Sequence, residues 1–109
     1  MGSLNIALAE GSYIDTSDDQ WPIIATASQH TLVEKDYVTM SLVVRRHADG
    51  RHLVHSLVEQ GGQALGAKGA IVAAGDSLTV PLWRVAAENR LSEWHINECQ
   101  KRLAGTAGT

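Results

Sequence analysis

Apolar and polar residues alternate with a period of two from residue 37 onward. Val38, Met40, Leu42 and Val44 fall on one side, and Thr39, Ser41, Val43 and Arg45 on the other. This is the pattern of a β-strand. A second β-rich run occupies residues 52–58, after His47-Ala48-Asp49-Gly50. Asp-Gly between two such runs predicts a hairpin, here a type I turn closed by Gly50 in the left-handed region. That register pairs Val44 with Val54 and Met40 with Val58 on one face. The other face then carries Val43, Arg45, Leu53, His55 and Leu57. Both faces are partly apolar, so both need cover. Helices would supply one cover, and the N-terminal segment or another chain the other.

The flanking segments read less regularly. Residues 21–28 (WPIIATAS) predict a strand with Pro22 at its entry. Residues 29–36 read as a polar loop, and so do residues 60–69, which hold four glycines. Residues 71–74 would add a short strand. Asp76 is a candidate helix N-cap, and Leu78, Leu82, Val85 and Ala86 follow helical spacing. Pro81 suits the first turn of a helix that begins near Thr79; a hairpin across Gly75-Asp76 is the competing reading. Asn89 is a natural left-handed stop. Ser92 then caps a second helix with Ile96, Cys99 and Leu103 on one stripe and Gly105 just past its end. The expectation is a single α+β domain. An antiparallel sheet of three or four strands surrounds the 37–58 hairpin, and a C-terminal helical hairpin packs on one face. Within 1–109, residues 1–20 form an acidic N-terminal segment, 21–74 are mainly sheet, 76–104 two helices and 105–109 a frayed tail.

The residues at 82–103, LWRVAAENRLSEWHINECQKRL, resemble a helix-turn-helix. Ala86 matches the small position, Leu91 the hydrophobe after the turn, Ser92 the cap, and Ile96 and Cys99 the buried sites. The match departs at Asn89 and at Arg90, which stands where glycine is usual. The resemblance implies a transcriptional regulator whose second helix reads base edges through Glu93, Trp94, His95, Asn97 and Glu98. Charge opposes this. Arg84, Arg90, Lys101 and Arg102 face Glu88, Glu93 and Glu98, a net of +1, too little for strong phosphate neutralisation. The alternative is an ordinary helix pair covering the sheet. A second resemblance rests on Trp21-Pro22-Ile23-Ile24-Ala25 and on residues 45–51 (RRHADGR). These segments are similar to those of small uncharacterised proteins of bacterial plasmids and integrative elements. It implies no activity, only an accessory or regulatory role.

Composition narrows the rest. The 109 residues are 44% hydrophobic and 19% charged, which argues for a folded domain rather than disorder. The net charge of −3 excludes a strongly basic nucleic-acid glove. It is uneven: residues 1–36 hold six carboxylates against Lys35, and residues 37–109 eight cations against six carboxylates. Arg46, His47 and Arg51 would make a cationic hairpin tip able to dock an acidic partner, including the N-terminal third of a second copy. One cysteine cannot form an internal disulfide. No run approaches the roughly 20 apolar residues of a membrane span. The Met1-Gly2 start lacks the serine or threonine that myristoylation requires at position six, where Ile6 stands. A cytoplasmic location is expected.

No enzyme motif emerges. Gly61, Gly66 and Lys68 miss phosphate-loop spacing, and no Ser or Thr follows the lysine. His95 and Cys99 share a helical face but lack two further zinc ligands, while His52 and His55 point to opposite faces of a strand. The sequence therefore predicts no catalytic residues, no metal and no cofactor. It predicts a non-enzymatic, self-associating interaction or regulatory protein, a homodimer with an unidentified protein partner; the alternatives are a helix-turn-helix DNA-binding transcriptional regulator and, third, a small enzyme of unknown reaction. Candidate partner or nucleic-acid contacts are Arg45, Arg46, Arg51, Arg90, His95, Asn97, Lys101 and Arg102. Candidate interface residues are Val43, Leu53, Leu57 and Trp94.

Overall fold

The computed structural model describes residues 5–16 and 19–107. The Met1-Gly2 start therefore lies outside the described residues. Among the described residues six strands and two helices follow in order: β1 (Asn5–Leu8), β2 (Tyr13–Asp15), β3 (Ile23–Val33), β4 (Asp36–Arg46), β5 (His52–Gln60), β6 (Gln63–Val72), α1 (Thr79–Glu88) and α2 (Glu93–Ala107). They form one mixed sheet of order β2-β1-β6-β5-β4-β3. Strands β3 to β6 make an antiparallel meander, and β1 joins β6 in parallel. The fold is thus α+β, with six mixed strands in place of the three or four antiparallel strands expected.

The central hairpin follows its sequence signal. Val44 pairs with Val54 and Met40 with Val58. The turn closes with Gly50 N–H donating to the His47 carbonyl at 2.9 Å and Gly50 at φ 96°. Three expectations fail. Residues 29–33 continue β3 rather than forming a loop, because Glu34-Lys35 alone makes the turn into β4. Residues 63–69 belong to β6, since the paired positive φ of Gly61 (58°) and Gly62 (81°) makes a two-residue hairpin turn. One glycine within β6 has a packing reason: a Cβ on Gly69 would stand 2.7 Å from Ile6 Cγ2. Residues 5–15 are not merely an acidic segment but the β1–β2 hairpin.

The helices pack on the face bearing Ala25, Ala27, Leu42, Val44, Val54 and Val72, through Leu82, Val85, Ala86, Ile96 and Cys99. Helix α1 begins at Thr79, as Pro81 suggested. Its N-cap is Leu78 without a side-chain bond, not Asp76. Asn89 at φ −113° is its C-cap, and Arg90 at φ 57° takes the left-handed position. Leu91 N–H reaches the Ala86 carbonyl (2.9 Å) and Arg90 N–H that of Ala87 (3.1 Å), a Schellman closure. Helix α2 runs through Gly105 to Ala107, three residues beyond the expected end, and positions 108 and 109 lie outside the described residues.

The second face is closed by the chain itself. Strands β2 and β3 lie at opposite edges of the sheet, so the connection between them must pass from one edge to the other. Near its end Trp21, 8% exposed, clusters with Ile6 and Leu53, both fully buried, and with Leu8, Ile14 and Ala67.

Candidate interaction surfaces

Two of the four expected interface residues are interior. Val43 and Leu53 are buried and Leu57 is half-buried, whereas Trp94 is 39% exposed on α2. The apolar face that seemed to need another chain is covered at Leu53 by Ile6 and Trp21. The expected contact residues also disperse. Arg45 points to the face opposite the helices. Its Nε–H donates to His55 Nε2 (3.0 Å) and its Nη1 to the Trp21 carbonyl (3.0 Å), and burial lowers its pKa. Lys101 and Arg102 pair with Glu98 at 3.1 and 3.5 Å. Arg90 and Asn97 are exposed.

His95 is buried and drops out of the contact set. Its Nδ1 accepts the Ser92 backbone N–H (3.3 Å), which puts the proton on Nε2, and Nε2 donates to the Met40 carbonyl (3.1 Å). One turn later the Cys99 thiol donates to the Leu42 carbonyl (3.3 Å). The two residues share a face, as their spacing required, and together seat α2 on β4. Their polar atoms are directed at backbone, and among the described residues no group of three His, Cys, Asp or Glu side chains is placed to hold a metal. Burial pushes the Cys99 thiol up to about 11.

At the β4–β5 turn Arg51 stacks over Trp21, 5.1 Å from the ring centroid, and Trp21 meets His47 edge to face at 5.0 Å. Asp49 accepts from the Arg51 backbone N–H (3.0 Å) and guanidinium (2.8 Å), which holds its carboxyl below the usual range. Arg46 and His47 line a cavity together with Asp19. The basic tip and part of the acidic N-terminal third therefore meet within one chain.

A surface missed in the sequence lies at the far end of the meander. Eleven-residue strands span about 36 Å, and the molecule is 43 Å long. Burial on β3 stops at Ala27, and residues 28–33 are all exposed. Leu32 (57%), Val33 (48%) and Tyr37 (65%) stand open there. The signal was Thr31-Leu32-Val33, a β-prone triplet before the Glu34-Lys35 turn. Strand β3 is also an edge. Among the described residues no helix is long and apolar enough to cross a membrane. Comparison of the chain with protein-family models, with curated proteins and with solved structures finds no match.

Proposed function

We propose that the chain is a non-enzymatic interaction protein that works as a homodimer, two copies joined edge to edge through β3. One observation carries this reading: the stretch Thr26–Val33 is an unguarded edge. It holds no lysine, arginine, carboxylate or proline, and its pairing with β4 is free of bulges. Soluble proteins ordinarily blunt long edges with such devices. The rest of the molecule uses them. Pro22 and a bulge between Ile23 and Ala25 guard the start of β3, and the opposite edge, β2, is three residues long and ends on Asp15. An uncharged strand meets its own copy without like-charge repulsion, as a two-fold interface requires. Leu32 and Val33 would then be covered.

Light scattering after size exclusion tests this. The wild-type chain is expected to show dimer mass at micromolar concentration. Leu32→Lys, at an exposed position, is expected to be a folded monomer whose melting temperature does not rise with protein concentration, as that of the dimer should. A wild-type monomer at about 1 mM would overturn the reading, and so would a Leu32→Lys dimer.

Helix-turn-helix DNA readout is the second reading, favoured by the left-handed Arg90 in the turn. The inward His95 and the pairing of Lys101 and Arg102 with Glu98 weigh against it. Absence of binding to random duplex DNA at low salt would dispose of it.

A further inference from the structure

The cavity at the β4–β5 turn has a volume of about 530 Å³, within the roughly 300–1,000 Å³ of small-molecule sites. One wall is Asp19, Pro22 and Ile24; the other is Arg46, His47 and Ala48. The Arg46 N–H bond to the Pro22 carbonyl (3.0 Å) ties the walls together. Ile24 is the extra residue of the β-bulge, as pairing passes from Ile23–Arg45 to Ala25–Val44; bulges commonly re-aim a side chain beside a site.

The lining carries both signs of charge, Asp19 and Arg46, beside polar Gln20 and His47 and apolar Pro22, Ile24 and Ala48. Arg45 and Arg51 are engaged elsewhere, whereas among the described residues the Arg46 guanidinium and the Asp19 carboxylate make no hydrogen bond or ion pair. His47 Nδ1 faces both the Asp49 N–H (3.2 Å) and Asp49 Oδ2 (3.1 Å), and its Nε2 lies 3.4 Å from Gln20 Oε1. A simple anion would be repelled by Asp19 and a simple cation by Arg46. A zwitterion satisfies both, its carboxylate on Arg46 and its ammonium on Asp19. Pro22, Ile24 and Ala48 then accept an apolar side chain.

We propose that this cavity binds a small zwitterion with an apolar side chain, the chemistry of a free aliphatic amino acid. L-leucine is the probe, followed by amide chemical shifts of the full chain. Saturable shifts at Ile24, Arg46 and Ala48 are expected. Isocaproate, which lacks the ammonium, and isoamylamine, which lacks the carboxylate, should each bind at least about tenfold more weakly. Arg46→Gln should reduce leucine to the level of isoamylamine, and Asp19→Asn to that of isocaproate. Both side chains are exposed, and the analogue series on the wild-type chain stands without either variant. No saturable shift, isocaproate binding as tightly as leucine, or both variants binding like wild type would each overturn the proposal.

Discussion

The Arg45 Nε–H donates to Nε2 of His55 across neighbouring strands at 3.0 Å. A guanidinium cannot accept, so His55 must offer a lone pair there and remain neutral. Its Nδ1 is buried without a partner among the described residues. Burial first, and the Arg45 charge second, hold its pKa down at about 3. Unfolded histidine titrates near 6.5. Between these values the unfolded chain takes a proton that the folded chain refuses, so stability is complete above pH 6.5 and falls as pH drops toward 3. The slope from this one group is roughly 1 kcal/mol per pH unit. His52, lowered by burial and then by Arg46, adds in the same direction. Urea melts at pH 7 and pH 5 should show a smaller loss for His55→Gln, whose amide oxygen can still accept from Arg45. Parallel losses in both proteins would refute the assignment.

The lid over the second sheet face depends on one absent side chain. A Cβ at Gly69 would stand 2.7 Å from Ile6 Cγ2 and 2.9 Å from the Val54 carbonyl oxygen. Gly69→Ala should therefore cost about 2 kcal/mol. Ile6→Ala alone should also cost about 2 kcal/mol or more by leaving a cavity. The double variant should lose less than the sum, because Cγ2 is gone, yet the Val54 carbonyl prevents full relief. Strict additivity in denaturant melts would show that β1 does not press on Gly69.

What the sequence disclosed and what it hid follow from locality. The Val44–Val54 register was legible because alternation and the Asp49-Gly50 turn agree over a few residues. Thr79 as the helix start was legible because Pro81 tolerates only the first turn. The far half of β3 was not: Gln29, His30 and Thr31 are exposed, so no burial stamps a period on them. Strand β6 was hidden by Gly66 and Gly69, the second of which yields space to Ile6. The cationic tip was legible at Arg46 and His47. Its facing wall was not, because residues 19–24 reach it only after the chain has passed from β2 at one edge to β3 at the other.

Cys99 reports on the seat of α2. It is fully buried, its thiol is pushed up to about 11 by desolvation, and it donates to the Leu42 carbonyl. A thiol-specific reagent at pH 8 should react with the native protein only through opening of α2, orders of magnitude more slowly than with urea-unfolded chain. His95→Ala removes the bonds to Ser92 and Met40 and should accelerate the reaction about tenfold or more, matching a loss of about 1–2 kcal/mol. An unchanged rate would mean that His95 does not hold α2 on β4.

The turn between the helices carries a residue at odds with its backbone. Arg90 sits at φ 57° in the C′ position of a Schellman closure, and Leu91 beyond it packs against the core. A left-handed conformation costs a side-chain-bearing residue roughly 1 kcal/mol, and glycine adopts it freely. The exposed guanidinium makes no ion pair among the described residues. Arg90→Gly should therefore raise stability by about 0.5–1 kcal/mol, visible as a higher urea midpoint with an unchanged slope, and Arg90→Ala should not. If Arg90 is held in this conformation because it meets a partner, the same glycine variant will keep its stability gain and lose the partner. Equal stability of the glycine and alanine variants would show that the turn is not strained, and the departure from helix-turn-helix glycine would then have no energetic cost.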